Sequence, residues 1–198
     1  MTEPASDGSG HASAREQILA SAVELFVHNG IRAVGIEAVT EHSGVTRSAL
    51  YREFPSKDGL VAEVLRRRDL AWREWFEEAI FQATDPAERL LAVFDALDAW
   101  FAQPDFRGSP FINVRAELIG EEHPGVAAAA DHVRRVRECL TELAAAAGAP
   151  DPPTLAAQIQ QLMKGAIVMA QEHEPRAAEL ARRTARTLLV ESGLLAAE

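Results

Sequence analysis

From about residue 12 to the C-terminus, apolar side chains return every three or four positions, the spacing that lines one face of an α-helix. Ile18, Ala22, Leu25 and Phe26 form the first such stripe. Near the other end Leu155, Ile159, Leu162, Met163, Ala166, Ile167 and Ala170 draw a broader one, and Ala177, Leu180, Ala181, Thr184, Leu188 and Val190 mark the last. Glycine and proline separate the segments, at Asn29-Gly30, Ser43-Gly44, Phe54-Pro55, Asp85-Pro86, Gln103-Pro104, Gly108 to Pro110, His123-Pro124, Gly148 to Pro153 and Glu174-Pro175. This punctuation predicts about nine helices. No run alternates Val, Ile and Thr between turn pairs, and no fixed period repeats, so the predicted fold class is all-α.

The segment lengths divide the chain. Residues 1–11, rich in Gly, Ser, Pro and Asp, carry too little apolar surface to offset the entropy of ordering and read as a flexible tail. Residues 12–55 hold three short segments, and residues 56–198 run in longer ones dense in Ala and Leu. A three-helix N-terminal unit followed by a larger helical domain is expected, joined by a helix from Ser56 to about Gln82. In the small unit, Ile36, Val39 and Thr40 face inward from the second helix, and Ala49, Leu50 and Phe54 from the third. Asn29-Gly30 is a left-handed stop for the first helix. Gly44 suits a turn with positive φ, Val45 plugs the corner, and Thr46 caps the third helix, which together make a helix-turn-helix.

Composition narrows the function classes. With 47% hydrophobic and 25% charged residues the chain has the balance of a globular protein with a substantial core. The net charge of -10 repels polyanions overall, so any contact with DNA must be local. The single cysteine, Cys139, leaves no internal disulfide and no Cys-rich zinc site, as expected of a cytoplasmic protein. No apolar run approaches the roughly 18 residues that cross a bilayer, and no secretory leader pattern opens the chain.

On the third helix Arg47, Ser48, Tyr51 and Arg52 share one arc at 100° per residue, opposite Ala49, Leu50 and Phe54. Arginine forks onto guanine or phosphate, Ser48 permits close approach, and a tyrosine hydroxyl reaches a phosphate oxygen while its ring packs on sugar or a thymine methyl. The stretch from Gly30 to Leu60, above all Ser43-Gly44-Val45-Thr46 and Leu50 to Lys57, resembles the DNA-binding signature of the TetR family. The resemblance implies that Thr46, Arg47, Ser48, Tyr51 and Arg52 lie on the recognition helix and that Lys57 faces a phosphate at the start of the fourth helix, capped by Ser56. It implies a double-stranded DNA operator, a small-molecule effector and a homodimer as partners. Two departures stand out: Gly35 replaces the usual threonine cap of the second helix, and Glu37 and Glu53 bring negative charge toward the DNA side. From Arg32 to Lys57 four basic residues face three acidic ones, so two subunits would have to share the work on a pseudo-palindrome.

In the larger domain most aromatics fall between residues 72 and 111. Core packing accounts for most of them, but the resemblance implies a cavity among the fourth to eighth helices. Trp72, Phe76, Trp100 and Phe111 are candidate ligand contacts, joined by Asn113, Glu117, Gln160, Met163 and Lys164, polar or soft residues inside apolar segments that could equally face water. The run from Arg107 to Asn113 resembles the start of the sixth helix in one branch of the family. The same kinship implies that the eighth and ninth helices pack against a two-fold mate. Catalysis and metals find little support. Glu121, Glu122, His123, Asp131 and His132 cluster in sequence but Pro124 breaks them, no Gly-rich phosphate loop occurs, and Cys139 has no nucleophile motif, so no catalytic residue, metal or cofactor is expected. The reading is a DNA-binding regulator, a repressor released by ligand. The rivals are a helical ligand-binding or interaction module that has lost DNA binding, motivated by Glu37, Glu53 and the acidic balance, and a small helical enzyme, for which Asn113, Arg115 and Glu117 are the sole motive.

Overall fold

The structure, a computed structural model, describes residues 13–118 and 122–196; the expected tail, residues 1–11, and Glu121 lie outside the described residues. Nine helices appear among them: α1 (Ala14–Asn29), α2 (Ile36–Ser43), α3 (Arg47–Glu53), α4 (Lys57–Ile80), α5 (Pro86–Phe101), α6 (Pro110–Glu117), α7 (Pro124–Ala146), α8 (Pro152–Gln171) and α9 (Ala177–Glu191). Their starts follow local chemistry. The hydroxyls of Ser13, Thr46 and Ser56 and the carboxylates of Asp85 and Asp151 accept from first-turn amides, satisfying donors that the helix itself leaves free. Pro86, Pro110, Pro124 and Pro152 stand at first-turn positions, where a missing N–H is no loss.

Two turns refine the sequence reading. Gly44 takes φ 70° and ψ 9°, the left-handed conformation that α2 needs to turn into α3. Gly30 has positive φ too, 79°, but with ψ 160° it is extended rather than left-handed helical. The chain therefore leaves α1 in a direction that brings the next backbone amides toward α6.

Two apolar clusters hold the helices together. One joins the C-terminal half of α4 to α5, α7, α8 and α9 around Phe76, Phe94, Leu97, Leu140, Ile159 and Leu189. The other surrounds the helix-turn-helix, and it does not stop at residue 55: Leu60, Val61, Val64 and Leu65 of α4, Phe111 and Val114 of α6, and Ala129 of α7 complete it. Short helices with three or four inward residues each cannot seal a core alone, so α4, α6 and α7 close it from below. Charged contacts fasten the same joint. Arg15 pairs with Glu63 at 3.0 Å and lies over the Phe54 ring, and Arg67 pairs with Glu16.

The stripe on α8 faces inward. Leu155, Ile159, Met163, Ala166 and Ile167 are buried within the chain, as are Ala177, Ala181 and Leu189 of α9, so these residues are not the surface a second subunit would meet. The outward side of α8 instead carries Gly165, Val168 and Met169. No described helix is long and apolar enough to cross a membrane.

Candidate nucleic-acid interface and cavity

The third helix presents its polar arc outward. Leu50 is buried under it and Phe54 closes it, which turns Arg47, Ser48, Tyr51 and Arg52 to the surface, with Tyr51 39% exposed. Thr46 Oγ1 accepts from the Ala49 amide at 3.2 Å and lies 3.1 Å from Ser48 Oγ, so the cap and the serine form one small polar step at the start of the helix. The Arg47 guanidinium lies 5.6 Å from the Tyr51 ring centroid and 3.1 Å from Glu37 of α2. Arg52 stands 3.8 Å from Glu53. Both acidic residues singled out in the sequence thus lean on the arginines they adjoin, and both pairs are exposed enough for phosphate to compete. Ser56 Oγ accepts from the Gly59 amide at 3.1 Å, and Lys57 follows at the first position of α4.

Within the larger domain α4, α5, α6, α7 and α8 line an open-sided cavity of about 430 Å3. Of the nine candidate contacts, Trp72, Trp100, Phe111, Gln160, Met163 and Lys164 line it. All three tryptophans of the chain are in its wall, Trp75 being the third. Three candidates lie elsewhere. Phe76 is 2% exposed, stacked behind Trp72 at 4.5 Å between ring centroids, and belongs to the core. Asn113 and Glu117 border an adjoining, smaller cavity of about 60 Å3 beside α1, which shares Arg68, Trp100 and Pro110 with the first. Asn113 Nδ2 donates to the Arg107 carbonyl at 3.4 Å.

Glu117 has a different place from the one expected. Its carboxylate accepts from the backbone amides of Ile31 at 2.7 Å and Arg32 at 3.1 Å, the amides that the turn at Gly30 brings to it. An anion on two backbone N–H groups is a strong local clasp. α6 therefore forms cavity wall through Pro110, Phe111 and Ile112 and grips the helix-turn-helix through Glu117, two turns further on.

The buried polar group that sequence reasoning missed is Asp69. At 2% exposure on α4, it accepts from His132 Nδ1 at 2.8 Å, Arg135 Nη1 at 2.7 Å and Arg73 Nε at 3.2 Å. Burial pushes its pKa up, but His132 and the two arginines outweigh that and hold it below the ordinary carboxylate value. Burial first, and the Arg135 and Arg73 charges with it, lower the His132 pKa against the upward pull of Asp69. An ionised Asp69 can only accept, so His132 presents its Nδ1–H and keeps Nε2 as an acceptor. The imidazole stacks on Phe111 with centroids 3.6 Å apart, meets Trp72 edge-on and lines the cavity. A signal existed: Leu65, Asp69, Trp72 and Phe76 are one helical stripe, and an acid on an apolar stripe needs partners. Among the described residues no group of three or more His, Cys, Asp or Glu is placed to hold a metal.

Comparison with known proteins follows this division. The family model described as bacterial regulatory proteins, tetR family, matches residues 18–64, which span the helix-turn-helix and the start of α4. The chain is 30% identical over 100 residues to the HTH-type transcriptional repressor KstR2 of Mycolicibacterium smegmatis, an alignment covering 46% of this chain and 47% of that protein. It is 28% identical over 116 residues to the HTH-type transcriptional regulator LmrA of Bacillus subtilis, covering 58% and 62%. The chain thus matches about half the length of these curated relatives. Solved structures extend the likeness well beyond the helix-turn-helix. A TetR transcriptional regulator of Streptomyces avermitilis superposes with a TM-score of 0.82 at 31% identity, over 92% of this chain and 99% of that one. A TetR-family regulator of Streptomyces coelicolor does so with a TM-score of 0.85 at 28% identity, over 91% and 90%. With the signature confined to α1 through α4 and the fold shared over 92% of the chain at 31% identity, the chain belongs to the TetR family, whose members are DNA-binding transcriptional regulators rather than enzymes.

Proposed function

We propose that the protein is a cytoplasmic repressor that binds a pseudo-palindromic operator as a homodimer and releases it when a small-molecule effector enters the cavity. The observation that carries this reading is the double engagement of α6, whose first turn is cavity wall while Glu117 holds the α1–α2 turn. Filling the cavity at Phe111 displaces α6, and the displacement reaches the helix-turn-helix through that clasp and through α4. The effector must bind the released state better, and a coupling of about 1–3 kcal/mol, roughly 5- to 150-fold in affinity, is the usual scale.

On DNA, α3 enters the major groove. Thr46, Arg47, Ser48, Tyr51 and Arg52 supply base and phosphate contacts, and Lys57 with the amides of the first turn of α4 takes a phosphate. Cavity contacts come from Trp72, Trp100, Phe111, Gln160, Met163 and Lys164. Dimerisation uses the outward side of α8, where Val168 and Met169 are each 39% exposed and Gly165 allows close approach. Fluorescence anisotropy with DNA from upstream of the protein's own gene tests the reading. Binding that weakens with salt is expected, and Tyr51→Ala or Arg47→Ala lowers affinity without changing dimer mass. Absence of binding at low salt favours the second reading, an interaction module that has lost DNA binding, for which the closure of Arg47 onto Glu37 is the motivating contact.

A further inference from the structure

The wall of the 430 Å3 cavity is unevenly charged. Its apolar part is broad and aromatic, with Trp72, Trp75, Trp100 and Phe111 around one space. Its polar part contains two cationic side chains, Arg68 of α4 and Lys164 of α8, and no Asp or Glu. Among the described residues neither cation forms an ion pair. The nearest buried acid, Asp69, does not serve them: it is occupied by His132 and shared between Arg73 and Arg135, so that cluster is itself cationic on balance. Burial first, then the charges of Arg137 and Arg115, lowers the Lys164 pKa, so both arginines add to the excess. A protein of net charge -10 has thus gathered positive charge on the wall of one largely apolar, part-open cavity, where solvent screens a bound charge less than it does on the open surface.

We infer that the effector is an organic anion, a flat aromatic or alicyclic body ending in one carboxylate or similar acidic group, with the body among the tryptophans and the acid between Arg68 and Lys164. This inference rests on the cavity being the effector site. It also assigns the coupling, because an acid held by Arg68 pulls on α4, the helix that carries the helix-turn-helix. His132 Nε2, left as an acceptor, favours a ligand with a hydroxyl donor on its body.

A matched pair of fluorescent probes tests the charge requirement. 1-Anilinonaphthalene-8-sulfonate and N-phenyl-1-naphthylamine share an aromatic body and differ in the anionic group. Both accept energy from tryptophan, and every tryptophan here lines the cavity, so the loss of tryptophan emission reports binding near it, and the response to substitution of Arg68 and Lys164 assigns that binding to the cavity. The anionic probe is expected to bind full-length protein roughly tenfold more tightly than the neutral one, the scale of one charged hydrogen bond. Lys164→Met and Arg68→Met should each narrow that gap by about threefold or more while the neutral probe's Kd holds, which also shows that the variants fold. Equal or tighter binding of the neutral probe, or a gap that survives both substitutions, overturns the anionic assignment and leaves the effector reading standing. If neither probe quenches the tryptophans, the cavity does not take up such molecules and both readings fall.

Discussion

Replacing Asp69 by Asn tests whether the cluster beneath the cavity holds α4 to α7. The wild-type carboxylate accepts three hydrogen bonds, from His132, Arg135 and Arg73, at 2.8, 2.7 and 3.2 Å. A hydrogen bond to a charged group contributes about 1.5–3 kcal/mol, so three would sum to several times that. Two corrections reduce the loss. The Arg73 and Arg135 side chains are 35% and 38% exposed and recover hydration when the charge is removed, and the amide oxygen retains part of the acceptor capacity. The amide NH2, however, must face at least one of the former donors inside a buried site. A destabilisation of about 3 kcal/mol follows, the lower end for breaking a buried ion pair. For a chain of this length that is a fall in Tm of about 6–12 °C. Urea and thermal unfolding at fixed protein concentration measure it, since dimerisation makes the midpoint concentration-dependent. Glu138→Gln, which breaks the exposed pair with Arg134, is the control and should leave the transition unmoved. A loss below about 1 kcal/mol in Asp69→Asn would show instead that the cluster behaves as a solvated surface pair and does not hold α4 to α7. Acid provides a second readout. Both Asp69 and His132 have folded pKa values below their ordinary ones, so the stability each confers is complete above the unfolded value and lost as pH falls through the folded one. Wild-type stability should therefore begin to drop below about pH 6.5 through His132 and fall again below about pH 4 through Asp69.

Other outcomes follow from single contacts. Glu37→Gln frees Arg47 and removes a negative charge from the DNA side, and should tighten operator binding by about two- to fivefold in anisotropy titrations; unchanged or weaker binding would mean that Glu37 positions Arg47 instead. Glu117→Gln should cost about 1–2 kcal/mol in unfolding experiments and lessen the effector's influence on DNA affinity, while a variant that responds fully would remove α6 from the coupling route. Gly108→Ala places a Cβ 2.0 Å from Gln171 Cδ at a residue with φ 79°, and should destabilise by about 1–2 kcal/mol from backbone strain alone as Gln171 loses its bond to the Arg107 carbonyl; a neutral result would show that this loop adapts freely. The Cys139 thiol is pushed up to about 11, by burial first and then by Glu77 and Glu142, so at pH 8 about one thiol in a thousand is ionised, and iodoacetamide should label native protein far more slowly than unfolded.

Whatever depends on neighbours along the chain was legible before any tertiary contact was known. Apolar spacing, proline positions and capping residues set the helices, because each involves contacts within three or four residues, and the outer arc of α3 follows from its 100° step once Leu50 is known to face inward. The kinship of the segment from Gly30 to Leu60 was legible for the same reason. Packing between distant helices set which polar residues inside apolar segments do what. Asn113 and Glu117 sit on α6 as expected, yet the extended turn at Gly30 draws Glu117 to amides 86 residues away rather than to the cavity. Trp72 and Phe76 are one helical turn apart and equally aromatic, but only the first is cavity wall while the second is sealed behind it. Asp69 and His132, 63 residues apart, become partners because α4 packs on α7. Helical periodicity places a residue on a face; what lies opposite that face is fixed by packing among distant segments, and no local pattern encodes it.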